Sequence, residues 1–120
     1  MAIQFYWYPK CGTSRKAKKW LEERGIPFEE IHIADNPPGR EELEDYYQKS
    51  GLEIKKFFNT SGKKYREQNL KEKVKTASDD ELLGILASDG MLIKRPIAVD
   101  GDRVTVGFKE EDYEKTWGNS

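Results

Sequence analysis

At 120 residues the chain has the length of one domain and enough material to bury a hydrophobic core. Charged residues make up 36% and apolar residues another 36%, and the three Trp, six Tyr and five Phe exceed what a disordered chain carries. The net charge of −1, with both signs interspersed, gives no reason to expect nucleic acid or a membrane as a partner held through bulk charge.

The opening run "MAIQFYWYPK" reaches Pro9 and Lys10 too early for a signal-peptide apolar region, and no stretch of about 18 apolar residues occurs. A cytoplasmic protein is expected. Within that run, "AIQFYWY" is apolar on both alternating faces, as suits a central strand buried on both sides. The loop "PKCGTS" follows, in which Thr13 or Ser14 is expected to cap a helix carrying Ala17, Trp20 and Leu21 on one face and closed by Gly25. "PFEEIHI" (27–33) reads as a second strand, parallel to the first through a right-handed crossover.

The middle third differs in kind. "NPPGREELEDYYQKSG" predicts a helix with prolines at its start and Leu43, Tyr46 and Tyr47 on one face. "LEIKKFFNTSG" predicts a short helix with Leu52, Phe57 and Phe58, and "KKYREQNLKEKVKTA" a charged surface segment anchored by Tyr65 and Leu70. "SDDELLGILASDG" opens with Ser78 and Glu81 in capping-box spacing. Residues 38–89 therefore read as a helical insertion into a single domain spanning 1–120. "PIAVDGDRVTVGF" (96–108) predicts a hairpin turning at Asp100-Gly101, and "KEEDYEKTW" a closing helix. The sum is an α/β fold with a four-stranded mixed sheet, and no internal repeat or linker interrupts it.

The chemistry centres on Cys11, the single cysteine, which excludes a disulfide framework within the chain. One Cys and one His cannot build a structural zinc site, so no metal and no bound cofactor are expected. A thiol reacts as the thiolate, and its pKa falls beside a helix N-terminus and beside cations. Cys11 stands just before the first helix, with Lys10 and Arg15 near, Gly12 permitting close backbone approach, and the hydroxyls of Thr13 and Ser14 able to donate to sulfur. A buried, inert cysteine is the competing reading, although a polar loop after a strand is where functional groups gather in open α/β sheets. Arg95 precedes Pro96 at a strand start; the pair reads either as a solvated arginine or as a fixed loop presenting a guanidinium to an anion. His32, alone on an apolar strand, reads as structural. The Lys-rich segment around Tyr65 reads as a solvated face.

Three segments in order, "YPKCGTSRKAKKWLEERG", "FFNTSGKKYRE" and "LASDGMLIKRPIAVDGDRVTVGF", closely resemble the arsenate reductase (ArsC) family and, within it, the Spx/MgsR branch. The resemblance spans residues 3 to about 115. It implies a thioredoxin-like, glutaredoxin-like fold with a cis Pro96 facing Cys11. In the reductases a single cysteine attacks arsenate, and an external thiol such as glutathione resolves the adduct with electrons from a glutaredoxin or thioredoxin. Three arginines hold the oxyanion there; Arg95 matches one, while Asn59 and Gly107 fall where the other two are expected. Each such charge-assisted contact contributes about 1.5–3 kcal/mol, so two losses weigh against arsenate itself. In the Spx regulators the loop carries Cys-x-x-Cys and the protein binds the RNA polymerase α C-terminal domain. Ser14 replaces the second cysteine here, which excludes that intramolecular switch, and Gly12 resembles a polymerase-contact position. The resemblance thus implies a monothiol oxidoreductase acting through Cys11 and Arg95, or a polymerase-binding regulator, or a member with neither activity.

Overall fold

Residues 2–118 are described by a computed structural model, and their elements follow the expected order. Strands β1 (Ile3–Trp7), β2 (Phe28–His32), β3 (Ile97–Asp100) and β4 (Arg103–Val106) form a sheet of order β2-β1-β3-β4. β1 runs parallel to β2 and antiparallel to β3, and β4 returns antiparallel to β3. This is the mixed four-stranded sheet of the thioredoxin-like architecture. No helix among the described residues is long and apolar enough to cross a membrane.

Alternation along the central strands sends side chains into two cores. Ile3 and Phe5 of β1, with Ala98 of β3, pack against Ala17, Trp20 and Leu21 of α1 (Gly12–Glu23) and Tyr113 of α6 (Glu110–Thr116). Tyr6, Ile97 and Val99 point the other way, into the insertion. There they meet α2 (Arg40–Ser50), α5 (Asp79–Ser88) and a 3₁₀ turn at Ile54–Phe57. Each fully buried Phe or Leu contributes about 1.5–3 kcal/mol, so both faces stabilise the sheet. The short α3 (Lys63–Glu67) and α4 (Leu70–Thr76) lie at the surface, held by buried Tyr65 and Leu70 as expected.

The insertion is tied to the second half of the chain by backbone. Asn59 N–H donates to the Leu92 carbonyl at 2.8 Å and Lys94 N–H to the Phe57 carbonyl at 2.7 Å, around a Phe58–Ile93 bridge. Gly90 lets the same segment lie close to the chain just past β2, because a Cβ there would lie 2.2 Å from the Ile33 carbonyl oxygen.

Four local expectations need correction. Cys11, not Thr13 or Ser14, is the N-cap residue of α1, because the Ser14 hydroxyl already accepts the Tyr8 N–H at 3.3 Å. Leu52 is exposed at 38%, since the 3₁₀ turn begins only at Ile54 and turns Ile54 and Phe57 inward; Phe58 lies past its end. The hairpin turns at Gly101-Asp102, with Asp100 paired to Arg103, and positive φ at Gly101 fits the first central position of a type II′ turn. Only half of the capping box forms at α5: Ser78 accepts the Glu81 N–H, while the Glu81 carboxylate pairs with Lys73 at 3.4 Å.

Candidate functional site

The loop between β1 and α1 is folded by its own backbone. Cys11 N–H donates to the Tyr8 carbonyl at 2.9 Å, and the Cys11 carbonyl accepts the Arg15 N–H at 3.1 Å as the first bond of α1. The helix then ends in a Schellman arrangement, with Gly25 N–H on the Glu22 carbonyl and Ile26 N–H on the Leu21 carbonyl, and Gly25 at φ 67°. The N-cap position aims the free amides of the first turn toward the cysteine side chain.

Cys11 is half-buried. Its sulfur makes no regular capping hydrogen bond. Burial pushes the thiol up, but the amide and hydroxyl of Ser14, the amide of Thr13 and the positive charge of Arg95 outweigh it and hold the thiol below its ordinary value. The Ser14 hydroxyl suits this task. It is fully buried, and because its oxygen accepts from Tyr8 N–H, its own proton is free for the sulfur.

Arg95 reaches the same place from the other end of the sequence. The Arg95–Pro96 peptide is cis and Pro96 is buried. One guanidinium nitrogen donates to the Met91 carbonyl at 3.3 Å and the Ile93 carbonyl at 3.5 Å, and the guanidinium carbon lies 4.8 Å from the Tyr8 ring centroid. A cation over an aromatic face is held by the ring quadrupole, so Tyr8 orients Arg95 while its backbone organises the cysteine loop. Tyr8 was not singled out from sequence. Its place as the last aromatic residue before "PKC" was the available signal.

Cys11, Thr13, Asn59 and Arg95 line one cleft of about 620 Å³. Lys10, Gly12, Ser14, Arg15 and Pro96 do not line it. Lys10 is exposed, and Arg15 turns back to donate to the Pro9 carbonyl at 3.0 Å, so Arg95 is the cation that acts on the sulfur. The Asn59 side chain closes a turn: its Oδ1 accepts from Ser61, and its Nδ2 sits 2.6 Å from where a Gly62 Cβ would be. Gly107 has φ 79°, and its missing side chain leaves room for the Lys94 stem, whose Cε lies 2.8 Å from the position of a Cβ. His32 stands outside the cleft, edge-on to Tyr8 with ring centroids 5.6 Å apart and its Nδ1 3.6 Å from Asp35.

Residues 6–116 match the ArsC family model. Among curated proteins, the uncharacterized protein YusI of Bacillus subtilis is 67% identical over 98% of this chain and 99% of its own length. The global transcriptional regulator Spx of Streptococcus pneumoniae is 32% identical over 92% of this chain and 81% of its own. The regulatory protein MgsR of Bacillus subtilis is also 32% identical, over 88% and 82%. Among solved structures, an ArsC-family-related protein from Bacteroides fragilis superposes with a TM-score of 0.93 at 46% identity, covering 96% of this chain and 97% of its own. An arsenate reductase from Vibrio cholerae gives 0.81 at 31% identity, covering 98% and 97%. With the match spanning the cysteine loop, the insertion and the hairpin together, the chain belongs to the ArsC family.

Proposed function

We propose that the protein is a monothiol oxidoreductase in which Cys11 is the nucleophile. The observation that carries this reading is the placement of Cys11 at the N-cap of α1, half-buried and lining one cleft with Arg95, a setting in which Ser14, Thr13 and Arg95 hold the thiol below its ordinary value. Such an arrangement favours the thiolate, the species that attacks. The Cys11 thiolate attacks one sulfur of a disulfide, forming a mixed disulfide and expelling the other sulfur as a thiolate that takes a proton from water. An external thiol of the glutathione, glutaredoxin or thioredoxin kind then attacks the mixed disulfide and restores Cys11, so no second cysteine of this chain is required. An oxyanion adduct on Cys11 would be resolved by the same kind of external thiol. Arg95 orients the anionic part of the substrate.

The expected result is an alkylation rate that titrates below the unperturbed thiol pKa of about 8.5. Exchange with mixed disulfides should be lost entirely in Cys11→Ser. A thiol titrating at or above its ordinary value, or turnover surviving in Cys11→Ser, defeats the reading. Arsenate is the weaker substrate expectation, because Asn59 and Gly107 leave Arg95 without the two further arginines of the reductases.

Similarity to Spx along most of the chain supports a second reading, a regulator that binds the RNA polymerase α C-terminal domain. Retention of that domain in a pull-down under reducing or oxidising conditions is its expected outcome. Absence of retention under both excludes it.

A further inference from the structure

The cleft that begins at Cys11 is several times larger than any tetrahedral oxyanion, and within the range of small-molecule sites. Its charge is also unlike that of the chain as a whole. Lys56, Lys94, Arg95, Lys109 and Lys115 line it against the single carboxylate of Asp112, in a protein whose net charge is −1. None of the four lysines has a carboxylate partner among the described residues. Charges of one sign gathered in a concave wall focus the field and concentrate ligands of the opposite sign.

Lys94 is the member whose backbone is held in place and whose stem has a defined neighbour. Its N–H is held by the Phe57 carbonyl at 2.7 Å, and its stem lies across Gly107, with Cδ 3.7 Å and Nζ 3.8 Å from where a Cβ would stand. Any side chain at position 107 would occupy the space that the Lys94 stem now fills. The space that this glycine leaves is thus filled by a cation from the segment that also carries Arg95. Among the cations, Arg95 is the one that acts on the sulfur.

We propose that Lys94 is a specificity-determining residue, and that the cleft takes a low-molecular-weight disulfide bearing a carboxylate or phosphate remote from its sulfurs. The inference rests on Cys11 as the nucleophile. Arg95 stays with the reacting sulfurs while Lys94, supported by Lys109 and Lys115 on the cleft wall, holds the remote anion. The step is the exchange described above: one sulfur of the substrate bonds to Cys11, and the other leaves as a thiolate.

Two probes separate the inference from the reading beneath it. One is an aromatic disulfide carrying a carboxylate on each ring; the other is a dipyridyl disulfide carrying none. The ratio of their exchange rates with the full chain is the readout. Lys94→Gln should lower the ratio of charged to uncharged probe about fivefold, the effect of one partly screened charge contact, and Lys94→Arg should restore it. Lys71→Gln, an exposed lysine of α4, should leave the ratio as in the wild type. Added salt should shrink the wild-type ratio toward that of Lys94→Gln. A ratio unmoved by Lys94→Gln, or lowered equally by Lys71→Gln, overturns the inference while leaving Cys11 as nucleophile. A wild-type rate with the uncharged probe no faster than a free thiol's overturns the reading of Cys11, and the inference with it.

Discussion

Two sets of residues around the cleft are built on opposite plans. Around Cys11 the polar groups have fixed partners: the Tyr8 carbonyl takes the Cys11 N–H, the Ser14 hydroxyl takes the Tyr8 N–H, and Arg95 is held by two carbonyls and a ring. Elsewhere on the cleft wall Lys56, Lys94, Lys109 and Lys115 are exposed side chains that no carboxylate among the described residues holds. The difference follows from what each set must do. Negative charge developing on one atom is stabilised by dipoles that are already in place, because reorienting them at that moment would cost as much as they return. A remote anion is attracted over a distance comparable with the Debye length, about 8 Å at physiological salt, where small motions of a long side chain matter little. Rigid dipoles serve the sulfur; mobile charge serves selection.

The strongest way to break this contrast is to loosen the ordered set. Ser14→Ala removes a donor to the Cys11 sulfur and strands the Tyr8 N–H that the hydroxyl accepts. Loss of the donor should raise the Cys11 pKa and so reduce the thiolate fraction at neutral pH. Loss of the acceptor should lower unfolding free energy by about 1–3 kcal/mol. Alkylation against pH reads the first effect and denaturant titration the second. An unmoved thiol pKa would make Ser14 a packing residue and leave the amides and Arg95 to do the work.

A smaller change tests the packing of Lys94 on Gly107. Gly107 has φ 79°, and its N–H donates to the Pro96 carbonyl at 2.8 Å, so the backbone there is fixed in the region that L side chains avoid. Gly107→Ala should cost about 1–2 kcal/mol from that conformation. The new Cβ should also displace the Lys94 stem, giving a loss of preference for the charged probe in the direction of Lys94→Gln. Circular dichroism and denaturant midpoints read the first effect and exchange kinetics the second. A Gly107→Ala protein of wild-type stability would mean that this turn relaxes more freely than its φ allows.

Legibility from sequence followed the range of the interactions. β1, α1, the hairpin and the Gly25 stop were readable because alternation, helical spacing and turn chemistry act among neighbours. The setting of Cys11 was half readable: helix N-terminal amides and a serine three residues on are local facts. Which residue caps the helix was not, because the Ser14 hydroxyl is claimed by Tyr8 six residues earlier. Lys10 and Arg15 looked like partners of the sulfur from their spacing, yet Arg15 satisfies itself on Pro9 and Arg95 supplies the charge. The contacts of Tyr8 with Arg95 and of Lys94 with Gly107 are not legible in sequence, because the fold, not proximity along the chain, sets both. Arg95 was legible from its place before Pro96 at a strand start, and family resemblance sharpened it; resemblance marked Gly107 as a loss, whereas the packing of Lys94 shows what fills its space.

The smallest expected effect links the ordered set to stability. Folding lowers the Cys11 pKa, so the folded state holds the thiolate where the unfolded chain still holds the thiol. The native state then releases its proton first, and the stabilisation grows as pH rises from the folded pKa. It is complete above the unperturbed thiol value of about 8.5 and lost as pH falls through the folded value. Serine at position 11 does not titrate in this range. The difference in unfolding free energy between wild type and Cys11→Ser should therefore shift in favour of the wild type on going from about pH 6 to about pH 9. Other titrating groups contribute equally to both proteins and cancel. Denaturant titrations of the pair at several pH values, under reducing conditions, measure that slope. A flat difference would mean that the thiol titrates alike in folded and unfolded chains, and that the dipoles around Cys11 do no more than repay its burial.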